Sequence, residues 1–166
     1  FHPFADLQLS GKIRINMRGF SLLEVLIVVG ILAVLAGIGS GFYFNYAKER
    51  ELEASTKNII FDLKQAQAKA MAGEESRKWG AHFINNNEDY YEIFSTPTDY
   101  NDASKTIETT SYFAASISFT APIANASSTV IFDKIMGTTA GISTITIFSI
   151  SAGTKTITVT AGGNID

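Results

Sequence analysis

The residue whose placement most demands a chemical explanation is Glu24. It stands at the edge of the longest apolar run in the chain, Val25 to Gly39, which holds no charge and no side-chain amide or hydroxyl. An acid at the centre of a membrane helix costs about 2.5–3.5 kcal/mol on insertion scales, and less near an interface. A tolerated edge acid is the plain reading of Glu24. The functional reading needs a positive partner, which an intramembrane acid usually has. A cut between Gly19 and Phe20 would create one. The new α-amine on Phe20 is ordinarily mostly protonated at neutral pH.

The remaining side chains offer little other chemistry. The chain has no cysteine, so it has neither a disulfide framework nor a thiolate metal site. His2 and His82 are far apart and lack metal-ligand spacing, and His82 falls in an expected strand, where a structural or surface role is the simpler one. No Ser/His/Asp constellation and no phosphate-cradling glycine loop is indicated, so no enzyme and no cofactor is expected. Trp79, Tyr90 and Tyr91 could line a binding face but fit core or hairpin packing better. Asn125-Ala126-Ser127 matches a glycosylation triplet, a pattern too frequent to carry weight.

Charge narrows the partners. The 166-residue chain has net charge −3, unevenly spread. Residues 1–79 carry ten Lys/Arg against eight Asp/Glu, whereas residues 80–166 carry only Lys105, Lys134 and Lys155 against eight acids. An acidic C-terminal body is a poor match for phosphate backbones, so nucleic acid is an unfavourable partner.

These residues need elements to position them. Lys12, Arg14 and Arg18 precede Phe20 to Gly41, a 22-residue stretch that as a helix spans about 33 Å, against a hydrocarbon core of about 30 Å. The positive-inside bias places Arg18 on the cytoplasmic side and everything after Gly41 outside. Gly37-x-x-x-Gly41 fits a small-xxx-small helix-packing motif. Beyond it, Phe42, Tyr43, Phe44 and Tyr46 suit a membrane interface. Apolar or small residues then recur at Leu52, Thr56, Ile59, Leu63, Ala66 and Ala70, a stripe at helical spacing that leaves Lys57, Asp62, Lys64 and Lys69 mostly outside it. No proline interrupts residues 20–71, and Gly73 is a plausible C-cap. The simplest reading is one helix of about 50 residues, although a break at Gly37–Gly41 would give the same core-facing stripe.

From Glu74 onward the pattern is that of strands. Lys78–Ile84 and Tyr90–Phe94 form an expected hairpin across an asparagine turn. Pro97–Lys105 is an expected polar loop, and weaker strands are expected at Thr106–Tyr112, Ser116–Thr120 and Val130–Phe132. Thr144–Ile150 and Lys155–Thr160 alternate with period two around Ser151-Ala152-Gly153-Thr154, with Ile145, Ile147, Ile157 and Val159 as core candidates. The organisation expected is a leader 1–19, a transmembrane or filament-core helix 20–41, an amphipathic continuation 42–73 and a β domain 74–166. The fold class is α+β, a long N-terminal helix packed on an antiparallel sheet.

Arg18-Gly19-Phe20-Ser21-Leu22-Leu23-Glu24-Val25, leading into Leu26-Ile27-Val28-Val29, closely resembles the class III signal of type IV prepilins and pseudopilins. The resemblance implies that a prepilin peptidase cuts after Gly19 and N-methylates Phe20. It also implies that Glu24 meets the Phe20 amine of a neighbouring subunit during assembly. The implied partners are that peptidase, other pilin or pseudopilin subunits, an inner-membrane assembly platform and, before assembly, membrane lipid. The implied location is the inner membrane, crossed once with the C-terminus outside, and then an extracytoplasmic filament. Many pilins carry a proline near the position of Gly41; here Gly37, Gly39 and Gly41 cluster instead.

The β half is similar, more loosely, to GspH/FimT-type minor pilins and pseudopilins, through its Trp79-Gly80 strand, its Ile/Thr-rich hairpin and its closing glycine before Ile165. Some major pseudopilins bind calcium near the C-terminus, but Asp133 and Asp166 make no such site visible. Alternatives stay open: a major pilin, a DNA-capturing minor pilin (against which the C-terminal region offers Lys155 alone), and an ordinary secretory signal cut after Ala36. The translation start is also open, with Met17 as one candidate, and Phe1 to Ser10 are uninformative.

Overall fold

A computed structural model of the chain describes residues 19–166, apart from the side chains of residues 38–42. The leader before Gly19, with Lys12, Arg14 and Arg18, lies outside the described residues, and so do the packing role expected of Gly41 and the aromatic Phe42. The chain divides into two compact units between Ser40 and Gly41.

Helix α1 runs Leu22–Ala72. Its start follows from Ser21, whose carbonyl accepts the N–H groups of Glu24 at 3.0 Å and Val25 at 3.2 Å. Its end follows from Gly73, which takes a left-handed conformation (φ 65°) and donates its N–H to Ala70 at 3.0 Å. Phe20, expected inside the helix, precedes it.

In the first unit the apolar residues Leu22 to Leu35 are exposed on all sides. Among the described residues no helix is long and apolar enough to cross a membrane.

The second unit contains seven strands: β1 Lys78–Asn85, β2 Tyr90–Thr96, β3 Thr106–Tyr112, β4 Ser118–Ala121, β5 Ala126–Phe132, β6 Ser143–Ser149 and β7 Gly153–Val159. They form two antiparallel sheets, ordered β3-β2-β1-β5 and β4-β6-β7. The α+β class expected from the pattern is the one observed. The expected hairpins are β1–β2, with Phe83 opposite Tyr91, and β6–β7, with Ile145 opposite Ile157.

The core shows why the stripe on α1 has the spacing it has. Leu52, Ile59, Leu63, Ala66 and Ala70 are fully buried, and Thr56, half-buried, folds its hydroxyl back onto the Leu52 carbonyl at 2.8 Å. They share one cluster with Trp79, Ala81 and Phe83 of β1 and with Ile145, Ile147, Ile157 and Val159 of the second sheet. Period two puts Gly80 and His82 on the other face of β1. Gly80 is required there, because a Cβ would collide with the Val130 carbonyl oxygen of β5.

Asp62 and Lys69, expected outside the stripe, sit at its margins. The Tyr91 hydroxyl donates to Asp62 Oδ2 at 2.6 Å, and Lys69 lies 4.3 Å over the Trp79 ring while pairing with Glu108. The C-terminus closes through the Val159–Ile165 bridge, as the Gly-Gly-Asn-Ile ending suggests.

Candidate functional site

Gly19, Phe20 and Ser21 belong to no helix or strand, and Phe20 is 79% exposed. The Gly19–Phe20 peptide bond is therefore open to a processing enzyme without unfolding any element. A side chain at Gly19 would meet nothing within 4 Å, so the local packing gives no reason for glycine there.

Glu24 occupies the first turn of α1 and is exposed. Among the described residues its carboxylate has no ion-pair partner. The exposed N–H groups of a helix start favour an acid in the first turn, by about 0.3–1 kcal/mol, which gives Glu24 a modest role inside its own chain. That does not explain why the acid is followed at once by Val25 to Leu35, an apolar surface exposed all round. Phe20, Leu22, Val25, Leu26 and Val29 together line a shallow apolar hollow beside it. The arrangement is a lone carboxylate, an exposed Gly19–Phe20 segment about one helical turn away, and an apolar rod without a partner in its own unit. Chemically it can recognise an ammonium group once apolar neighbours have excluded water.

Gly37, the first position of the expected packing pair, lies within α1. The paired position, Gly41, has no described surroundings.

The second unit holds a polar cluster that the sequence pattern did not reveal. His82, on the outer face of β1, is buried, stacks on Tyr100 at 3.6 Å between ring centroids, and pairs its Nδ1 with the Thr129 hydroxyl at 2.7 Å. Lys105 lies 3.7 Å from the centroid of the same Tyr100 ring, and the Tyr100 hydroxyl donates to Glu92 at 2.7 Å. Two groups that close to one ring must take opposite faces. The Pro97–Lys105 loop is thus strapped over the outer face of the first sheet, burying Phe94 and Thr96.

Burial lowers the His82 pKa, with Glu92 opposing the shift and Lys105 adding to it. Burial and the hydrogen bond to Glu92 raise that of Tyr100. His82 Nδ1, the Thr129 and Tyr100 hydroxyls and Glu92 are joined in hydrogen bonds that tie the loop to the sheet, so the cluster reads as a clamp.

The other candidates resolve similarly. Trp79 and Tyr91 are core residues, while Tyr90 packs on Tyr112 at 5.2 Å. Asp133 pairs with Lys78 at 2.7 Å, and Asp166 accepts from the Asn164 amide at 2.8 Å. Among the described residues no group of three or more His, Asp or Glu could hold a metal ion. A cleft of about 890 Å³ opens at the β1–β2 turn, with Glu88, Tyr112, Phe113 and Ile123 in its wall.

Comparison with curated proteins finds no match, and comparison with solved structures finds none either. Comparison with protein families finds one, confined to the N-terminal end of the chain. Residues 14–40 match the prokaryotic N-terminal methylation motif, the class III prepilin signal, in agreement with a type IV pilin or pseudopilin.

Proposed function

We propose that the chain is a structural subunit of a type IV pilus or of a type II secretion-like filament, most closely of the minor, GspH/FimT-like kind. A prepilin peptidase cuts it between Gly19 and Phe20 and methylates the Phe20 amine. The apolar rod rests in the inner membrane, with residues after Gly41 outside, until an assembly platform extracts it into a filament. There the rods of many copies supply one another with the apolar surroundings that a single copy lacks, and Glu24 of one copy meets the Phe20 amine of the next.

The observation that carries this reading is the methylation motif over residues 14–40, falling on the first part of α1, where the apolar side chains from Leu22 to Leu35 are all exposed and the one acid, Glu24, has no ion-pair partner among the described residues. The desolvation cost of an isolated carboxylate explains why the amine matters: buried alone the acid is unfavourable, whereas paired it discriminates correct register. Nucleic acid has no place in this reading. Only three lysines stand after residue 79, against eight acids, and Lys105 is held against Tyr100, so no basic patch for a phosphate backbone is formed there.

The test is N-terminal mass spectrometry of the mature protein, with an N-methylated Phe20 expected. A mature chain beginning at Gly37 would overturn the reading in favour of an ordinary secretory signal. In cells, Glu24→Ala is expected to leave processing intact and to abolish incorporation into filaments.

A further inference from the structure

The second unit exposes apolar side chains at its two opposite ends. At one end the chain makes a tight three-residue turn, in which Met136 donates its N–H to the Lys134 carbonyl at 2.8 Å. The central residue, Ile135, has φ 70°, a conformation that is a genuine outlier for a β-branched residue. The turn is nonetheless firmly held. Ile135 donates to the Ala70 carbonyl at 3.0 Å, Gly137 to the Asp133 carbonyl at 2.9 Å, and Gln67 to the Gly137 carbonyl at 2.9 Å. All this strain and anchoring serves to present Ile135 (76% exposed) and Met136 (73%) to the outside, beside the exposed Met71. Nothing in the chain's own packing uses them.

At the other end lies the cleft of about 890 Å³. Its wall sets Phe113, Phe119 and the exposed Ile123 beside the polar Asn85 to Asp89, giving a mixed recess with room for aliphatic side chains and an acid at its rim. Ile150, at the tip of the β6–β7 turn on the same end, is 90% exposed.

The two ends are fixed along one helix. Ser116, in the loop beside the cleft, donates to Glu51 at 2.7 Å, whereas the knob hangs from Ala70. Nineteen residues of α1 separate these anchors, about 28 Å at 1.5 Å per residue. Charge is matched as well. Lys134, next to the knob, has no ion-pair partner among the described residues, and neither has Glu88 in the cleft wall.

We propose that the Ile135–Met136 knob of one copy docks into the Glu88–Ile123 cleft of a second copy, end to end, with Lys134 facing Glu88. Such a contact joins two different surfaces at opposite ends of the unit. It therefore propagates as an open chain and does not close into a dimer. The proposal rests on the reading of the chain as a filament subunit and adds a contact outside the apolar rods.

The natural chain has no cysteine, which makes the test direct. The full chain carrying Met136→Cys together with Ile123→Cys, both on exposed side chains, is expressed in cells that assemble filaments and is oxidised there. A ladder of dimers, trimers and longer species is expected from the double variant, and monomer from each single one. A bridge within one copy is ruled out by the distance, since a disulfide needs Cα atoms within about 7 Å.

Dimers from Met136→Cys alone would overturn the proposal in favour of a symmetric contact. Monomers from the double variant would overturn it too; a simultaneous shielding of Ile123→Cys from a water-soluble maleimide would then assign the cleft to lipid or another protein. The N-terminal mass spectrum of the same sample reports processing separately. A methylated Phe20 without the ladder sinks the end-to-end contact alone, and a ladder on a chain cut elsewhere sinks the prepilin reading alone.

Discussion

Helix α1 lies in two environments. Between Leu52 and Ala70 one stripe of it, Leu52, Ile59, Leu63, Ala66 and Ala70, is buried against the chain's own sheets, while Phe61 on another face is exposed. Between Leu22 and Leu35 they come without interruption and none is buried. A helix apolar on one face has a partner in its own domain, while a helix apolar all round needs lipid or other helices. The stability of the second unit is thus intrinsic to the chain, and that of the first depends on other molecules.

The most severe way to break this contrast is to empty the core of the second unit. Phe83 is fully buried, with the rings of Tyr91 and Phe119 at 5.7 Å and 5.9 Å. Phe83→Ala is expected to destabilise that unit by about 3–5 kcal/mol, through lost burial and the cavity left behind. Urea unfolding followed by fluorescence measures this, because Trp79 is the chain's one tryptophan and lies in the same core. Leu26→Ala removes a similar apolar group from the first unit. It is expected to leave the Trp79 transition unmoved while lowering filament yield. If the two variants shifted the transition equally, the contrast between the units would fall.

Gly80→Ala sharpens the same contrast from the side of excess volume. The added methyl would meet the Val130 carbonyl, a backbone group fixed in the β1–β5 ladder. Overpacking of this kind costs about 1–3 kcal/mol. Gly30→Ala adds the same methyl to the first unit, where nothing lies within 4 Å, and is expected to leave the Trp79 transition where it is.

What could be read from the sequence was whatever is contiguous or periodic. The stripe from Leu52 to Ala70 and the alternation of Ile145, Ile147, Ile157 and Val159 each state their role within a few residues, and the methylation motif over residues 14–40 is as contiguous. Features made by distant pairs were not legible. Asp62 reads as a solvated residue until Tyr91 of β2 arrives to donate to it. The first half of β5, Ala126 to Thr129, is too polar to announce a strand and is defined by its pairing with β1. Pro97–Lys105 reads as a polar loop, yet Tyr100 makes it a cover for Phe94. The knob was hidden for a further reason: isoleucine is among the last residues expected at a positive φ, so no local preference signals the turn at Ile135.

The smallest expected effect concerns this loop cover and tests whether it belongs to the intrinsically stable unit. His82 is faced by Glu92 from β2, Thr129 from β5 and both Tyr100 and Lys105 from the loop. Burial lowers its pKa from the ordinary 6.5. A base whose pKa falls on folding binds its proton more readily in the unfolded chain. Its contribution is therefore complete above pH 6.5 and declines as pH drops below that value toward the folded pKa. Glu51, Glu53 and Asp102 also have lowered values, but their losses begin only below their ordinary 4.5, 4.5 and 3.8. Between pH 7.5 and 5.5 the decline thus reports His82. The urea midpoint of the natural chain is expected to be lower at pH 5.5, and that of His82→Gln to change less between the two conditions. An equal drop in both proteins would place the titrating group elsewhere and remove His82 from the clamp's energetics.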